Sequence, residues 1–253
     1  MYKINSQFKK DQNQILKFIN NFSSLGTVFI QGNRNAIKLF ELGNITLNIK
    51  SFKSPNLINK VVYKYFRKSK AQRSFEYAQM LLENNIKTPA PVAFFENSNL
   101  VGIKDSYYAS EHLECDFTFR ALDDMQNPER DEIIKQFAQF TFSMHQKGIE
   151  FLDHSPGNTL IKKVADNKYD FYLVDLNRMR FHKDMPFEVR MKNFARITND
   201  IEIVKVIANE YAILAQLNES VVFNAVWNNI NLFQEHFLRK KRIKKRLKFW
   251  KKD

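Results

Sequence analysis

Residues 144–161 read MHQKGIEFLDHSPGNTLI and residues 171–181 read FYLVDLNRMRF, and how these two stretches are read decides the fold. In the first, an acid and an amide, Asp153 and Asn158, stand five residues apart, and Pro156 with Gly157 between them favours a compact loop. In the second, Asp175 emerges from the apolar run Phe171-Tyr172-Leu173-Val174, a strand able to hold a carboxylate at its end. Before the loop, Glu129–Lys147 places Ile133, Phe137, Phe140 and Met144 on one helical face, with Gly148 suited to the C-terminal cap. An isolated acid and amide at this spacing is commonly turn chemistry. A helix before them and a strand acid after them agree instead on a chemical site.

Working outward, the N-terminal half alternates where the C-terminal half winds. After a polar, helical N-terminal segment, Thr27–Gln31 and Ala36–Phe40 read as strands around the turn Gly32-Asn33-Arg34-Asn35. A third strand, Ile45–Lys50, alternates so that Leu47 and Ile49 face one side while Asn48 and Lys50 face the other. The segment Ser69–Asn84 reads as a helix with Phe75, Ala78 and Leu82 on one stripe and Glu76 within it. Val92–Glu96 and Leu100–Ser110 form a hairpin about Asn97-Ser98-Asn99. Beyond Leu113 the pattern is helical, interrupted by short strands around Thr159–Val164 and Phe171–Leu176, and Pro186–Phe237 reads as several helices. The predicted organisation is a sheet-plus-helix lobe over residues 1–113, a helical lobe over 114–238 and a basic tail over 239–253.

Composition excludes several classes. With 44% hydrophobic residues and 24 Phe among 253, the chain is too apolar to be disordered. Cys115 is the single cysteine, so no internal disulfide forms, no Cys/His pairs stand at zinc spacing, and a reducing cytoplasmic setting is the default. Met1–Phe22 lacks an apolar run of signal-peptide length, and no segment approaches a membrane span. The net charge of +13 is concentrated: Arg239–Asp253 holds ten Lys/Arg and one acid, leaving a body of only +4. Along Arg239–Lys252, Ile243, Leu247 and Trp250 fall at offsets of four and seven among basic residues, the pattern of an amphipathic helix for an anionic membrane surface. Nucleic acid would attract the same charge, but no groove-reading or aromatic ribonucleoprotein motif accompanies it.

His145, Gly148, Asp153, Pro156, Asn158 and Leu160 resemble the catalytic loop of protein-kinase-like enzymes, and Val174-Asp175 resembles their metal-binding strand. Lys50 on the third strand and Glu76 on the following helix resemble that superfamily's lysine and glutamate pair, so the likeness runs from about Thr27 to Phe181. Leu152-Asp153-His154-Ser155-Pro156-Gly157-Asn158 with Val174-Asp175-Leu176-Asn177-Arg178 looks most like the lipopolysaccharide core kinases of the Kdo/heptose kinase family. The chain departs from protein kinases at Phe151-Leu152, where they carry His-Arg, at Leu176-Asn177, where they carry Phe-Gly, and at Gly32, one glycine where they carry three.

The resemblance implies an α+β, bilobal protein-kinase-like fold with an ATP cleft near Glu111–Leu113, and a kinase that phosphorylates a sugar hydroxyl of the lipopolysaccharide inner core, most readily Kdo of Kdo-lipid A. It implies that Asp153 orients the hydroxyl and accepts its proton, that Asn158 and Asp175 are ligands to Mg²⁺, that Lys50 meets the phosphates of ATP while Glu76 holds Lys50, and that Gly32 and Asn33 lie at the nucleotide loop. A peripheral position on the inner face of the inner membrane follows from the same likeness. Two alternatives remain at this stage: a small-molecule kinase of the aminoglycoside or choline phosphotransferase type, and a non-catalytic pseudokinase that binds membranes.

Overall fold

The structure is a computed structural model that describes residues 1–32, 35–52, 68–99, 102–125 and 128–249. Asn33, Arg34, Leu100 and the last four residues of the tail, Trp250 among them, all used in the sequence reading, lie outside the described residues. The chain divides into two compact units: Met1–Glu114 joined by Tyr172–Arg178, and Cys115–Phe171 joined by Met179–Asp253. The division is not linear, because the segment carrying Asp175 belongs to the first unit.

In the first unit, β1 (Tyr2–Ile4), β2 (Thr27–Gln31), β3 (Asn35–Leu42), β4 (Ile45–Phe52), β5 (Pro91–Asn99) and β6 (Gly102–Glu111) form one sheet in the order β1-β5-β6-β4-β3-β2. Every pairing is antiparallel, as short turns between consecutive strands require. Alternation sorts the two faces. Leu47, Ile49, Ala93 and Phe95 pack with Ile15, Phe18 and Ile19 of α1 (Gln12–Asn20), whereas Phe52 and Phe94 pack with Ala71 and Phe75 of α2 (Lys70–Glu83). Lys50 therefore projects from the α2 face, as the period of two predicts.

In this unit two details depart from the sequence reading. The N-terminal segment is not helical from its start: Tyr2–Ile4 adds an edge strand to β5, anchored by Tyr2 stacking 5.1 Å from Phe95 and by Asn5 N–H donating to Val92 O at 2.8 Å. In α2, Leu82 is 40% exposed and Leu81 is the buried residue. The buried set Ala71, Ser74, Phe75, Ala78 and Leu81 follows the i, i+3, i+4, i+7 stripe, and Leu82 falls off its edge.

The second unit is helical, with two small sheets. Its core gathers Ile133, Ile134, Phe137 and Ala138 of α3 (Arg130–Gln146) and Met191 of α4 (Phe187–Asn193). Ile203, Val204, Ile207 and Tyr211 of α5 (Ile201–Ala215) join them with Val222, Val226 and Ile230 of α6 (Glu219–Phe249). Here β7 (Phe117–Thr118), β9 (Thr159–Ala165) and β10 (Lys168–Leu173) make one sheet, and β8 (Ile149–Phe151) pairs antiparallel with β11 (Met179–Phe181) in the other. The tail is no separate element, because helix α6 runs unbroken through Arg239. The strand expected over Phe171–Leu176 instead begins at Lys168 and ends at Leu173, since Asp175 takes φ +60°, a left-handed conformation no strand can contain.

Candidate active site

The first unit carries a cation and a carboxylate from the set read in the sequence. Lys50 Nζ lies 2.8 Å from Asp175 Oδ1 and 5.3 Å from the centre of the Phe52 ring, and its side chain is 15% exposed. Asn177 Nδ2 donates to the same Oδ1 at 2.6 Å. Among the described residues nothing engages Asp175 Oδ2, so one oxygen is held and the other is presented. A carboxylate held through one oxygen can offer the other to a hard divalent cation. Backbone bonds support the strand leading to it: Thr88 Oγ1 donates to Leu173 O at 2.7 Å, and Leu173 N–H donates to Lys87 O at 3.1 Å.

Lys50 and Glu76 are not brought together as a pair. Glu76 is held instead by Lys68, whose Nζ is within 2.9 Å of both carboxylate oxygens, and by Gln72 Nε2 at 3.0 Å. The cause is local: Gln72 sits one helical turn before Glu76, and Lys68 precedes the Ser69 cap with a chain long enough to reach along that face. Asp175 thereby becomes the carboxylate partner of Lys50. Gly32 closes the β2–β3 turn, its N–H donating to Asn35 O at 3.0 Å. Phe29 on β2 lies edge-on to His112, 5.2 Å between ring centres.

The second unit carries the loop acid and amide. After β8, His154 N–H donates to Phe151 O at 3.1 Å and Asn158 N–H to Ser155 O at 2.9 Å, so the loop closes in a single 3₁₀ turn over Pro156–Asn158. Asn158 Nδ2 donates to the backbone oxygen of Asp153 at 2.9 Å. This fixes the amide's orientation and leaves its Oδ1, without a partner among the described residues, as a hard acceptor suited to Mg²⁺. Asp153 Oδ1 is ion-paired with Arg196, which comes from the connection between α4 and α5. A Cβ on Gly157 would stand 3.2 Å from Arg120 Nη2, so the glycine lets a second guanidinium approach the loop backbone.

Beneath the loop lies a buried polar chain. Asn193 Nδ2 donates to Phe151 O at 2.8 Å, so its Oδ1 accepts from His145 Nε2 at 3.1 Å, and Tyr211 O–H then donates to His145 Nδ1 at 3.0 Å. His145 is a neutral structural residue, and burial drives its pKa down to about 3. His154, although in a polar-looking loop, is only 1% exposed, with its ring 5.4, 5.9 and 6.3 Å from those of Phe137, Phe151 and Phe194. Burial drives its pKa down to about 4, and Asn193 only partly opposes the shift. The aromatic neighbours are far along the chain, which is why a polar-looking loop gave no hint of them.

A model of the lipopolysaccharide kinase (Kdo/WaaP) family matches residues 53–217, about two thirds of the chain. The protein belongs to this family. It is therefore a kinase of the lipopolysaccharide core, with ATP as the phosphate source the family implies. No curated protein sequence matches it. Among solved structures, WaaP in complex with acyl carrier protein is similar at a TM-score of 0.65 and 14% identity, covering 93% of this chain and 97% of that one. At such identity the likeness bears on fold, which is the mixed α+β kinase-like architecture with an N-terminal antiparallel sheet and a helical C-terminal region.

The site also contains contacts that the sequence reading passed over. Asn177 holds Asp175 from two positions on, a spacing at which an amide commonly reaches a neighbouring acid. Arg196 reaches Asp153 across 43 residues, and no local pattern signals that contact.

Proposed function

We propose that the kinase phosphorylates a hydroxyl of Kdo in Kdo-lipid A, using Asp153 as the group that orients the acceptor and takes its proton. The observation that carries this reading is the loop itself: the Asn158 amide donates to the Asp153 backbone oxygen at 2.9 Å, which leaves the amide oxygen for a cation beside the acid. In the transfer, the bond from the sugar oxygen to the γ-phosphorus forms as the bridging oxygen–phosphorus bond of ATP breaks, ADP departs and the hydroxyl proton passes to Asp153. Asn158 and Asp175 are the residues that would hold Mg²⁺, which when bound neutralises phosphate charge. Lys50 would meet the nucleotide phosphates, with Gly32 and Asn33 at the nucleotide loop. Glu76, held by Lys68, would act on the lysine's surroundings rather than on Lys50 itself. Kdo carries a carboxylate and heptose does not, and Arg178, exposed three residues after the strand acid, favours the anionic sugar.

The test is direct. Purified protein with Mg-ATP is offered Kdo-lipid A and, separately, a heptose-bearing core acceptor; phosphate on Kdo that disappears in Asp153→Ala is the expected result. Transfer to heptose alone removes the Kdo assignment, and transfer to neither removes the acceptor class.

We further propose that α6 docks on anionic lipid at the cytoplasmic face of the inner membrane. Among the described residues no helix is long and apolar enough to cross a membrane. Helix α6 instead exposes Phe237, Leu238 and Ile243 among its basic residues, apolar groups able to enter an interface. A carrier protein is the second reading for this helix, because WaaP was solved in complex with acyl carrier protein. Flotation with anionic vesicles, repeated with acyl carrier protein as competitor, separates the two.

A further inference from the structure

The catalytic loop Asp153-His154-Ser155-Pro156-Gly157-Asn158 contains no lysine or arginine. Phosphoryl transfer nonetheless moves negative charge past this loop, and positioned positive groups are what stabilise it. The fold brings two from elsewhere, Arg120 near Gly157 and Arg196 on Asp153 itself. Arg196 Nη1 pairs with Asp153 Oδ1 and lies 3.4 Å from Leu152 O, so one guanidinium nitrogen grips both the carboxylate and the backbone just before it. The guanidinium carbon rests 5.6 Å from the centre of the Phe233 ring on α6. Exposed ion pairs are usually worth little, because long side chains must be ordered to make them. Here the aromatic face already orders the arginine, and Asp153 is only 17% exposed.

We propose that Arg196 is a positioning residue of the phosphotransfer reaction, holding the Asp153 carboxylate in the orientation that receives the acceptor hydroxyl and keeping a fixed positive charge beside the loop. The inference rests on the reading of Asp153 as the acceptor-orienting group. A planar guanidinium suits the task, since it can serve the carboxylate, the Leu152 carbonyl and the Phe233 ring at once; an ammonium reproduces the charge but not the stacking. Phe233 is the second half of the device, because it removes from Arg196 the freedom that would let the carboxylate swing.

The experiment compares wild type with Arg196→Gln, Arg196→Lys, Phe233→Leu and Asp153→Ala in steady-state transfer from Mg-ATP to whichever core acceptor the wild type uses. For Arg196→Gln we expect kcat to fall at least about tenfold, with the KM for ATP and the thermal midpoint unchanged. Arg196→Lys should retain more of the rate, Phe233→Leu should fall between wild type and Arg196→Gln, and millimolar guanidinium should restore part of the Arg196→Gln loss. A kcat for Arg196→Gln within about twofold of wild type overturns the inference while leaving the role of Asp153 intact. So does a loss that neither lysine nor guanidinium relieves and that raises the KM for ATP, the mark of a merely structural arginine. Activity surviving in Asp153→Ala instead removes the reading beneath it.

Discussion

Asp175 shows how much one residue can be asked to do. Its φ of +60° is a conformation that aspartate adopts at modest cost, and the two groups on its Oδ1, Lys50 and Asn177, hold it there. Partners that orient a metal ligand commonly contribute ten- to hundredfold in metal affinity or activity. With Asp175 as the proposed Mg²⁺ ligand, Asn177→Ala should raise the Mg²⁺ concentration needed for half-maximal rate by about 10- to 100-fold, read from a Mg²⁺ titration of kcat. His154 makes a different residue-scale prediction. Its folded pKa of about 4 lies below the ordinary histidine value, so the unfolded chain binds its proton first as pH drops. The stability it contributes is complete above about pH 6.5 and is lost as pH falls toward 4, at up to about 1.4 kcal/mol per pH unit. His145, with a pKa of about 3, adds to the same loss over a window reaching lower. Since both ring nitrogens of His154 lack hydrogen-bond partners among the described residues, His154→Leu should flatten the acid limb of a melting-temperature profile, at a neutral-pH cost of under about 1.5 kcal/mol.

At the scale of elements, the site depends on how the chain enters and leaves the loop. Gly148 ends α3 at φ +67° and starts β8, and a Cβ there would stand 2.0 Å from His182 O, which follows β11. The same place is bridged by His182 N–H donating to Gly148 O at 2.8 Å. Gly148→Ala must strain its backbone and push β11 from β8, so denaturant unfolding should show a loss on the order of 2 kcal/mol or more. Helix α2 offers a milder case: Ser69 Oγ caps its N-terminus by accepting from Gln72 N–H at 3.0 Å, and Ser69→Ala should cost about 1 kcal/mol in the same measurement.

For the whole molecule, charge distribution matters more than net charge. The body carries only +4 of the +13, so removing residues 239–253 removes most of the electrostatic attraction to lipid without touching the core of either unit. Each basic residue near an anionic surface contributes roughly 1 kcal/mol. The truncated protein should stay folded by circular dichroism, lose flotation with anionic vesicles and keep activity on detergent-dispersed acceptor. Binding of the full chain should weaken steeply with added salt.

The sequence by itself determined the class of the protein and singled out its candidate site residues, because those signals are local. Alternation over Ile45–Lys50 placed Lys50 opposite the core, the stripe on α3 set its buried face, and Asp153, Asn158 and Asp175 stood out by spacing in a loop and at a strand end. Where Leu82 and the Phe171–Leu176 strand were misread, the error was one of boundary or phase, decided by packing and by a single left-handed residue. Tertiary structure alone decided the partners. Whether Lys50 meets Glu76 or Asp175, whether His154 is wet or walled by phenylalanines, and whether Asp153 finds an arginine 43 residues away are questions of distance in space. Side-chain identity fixes what bonds a residue can make, but only the folded chain selects which of several competent neighbours arrives first and excludes the rest.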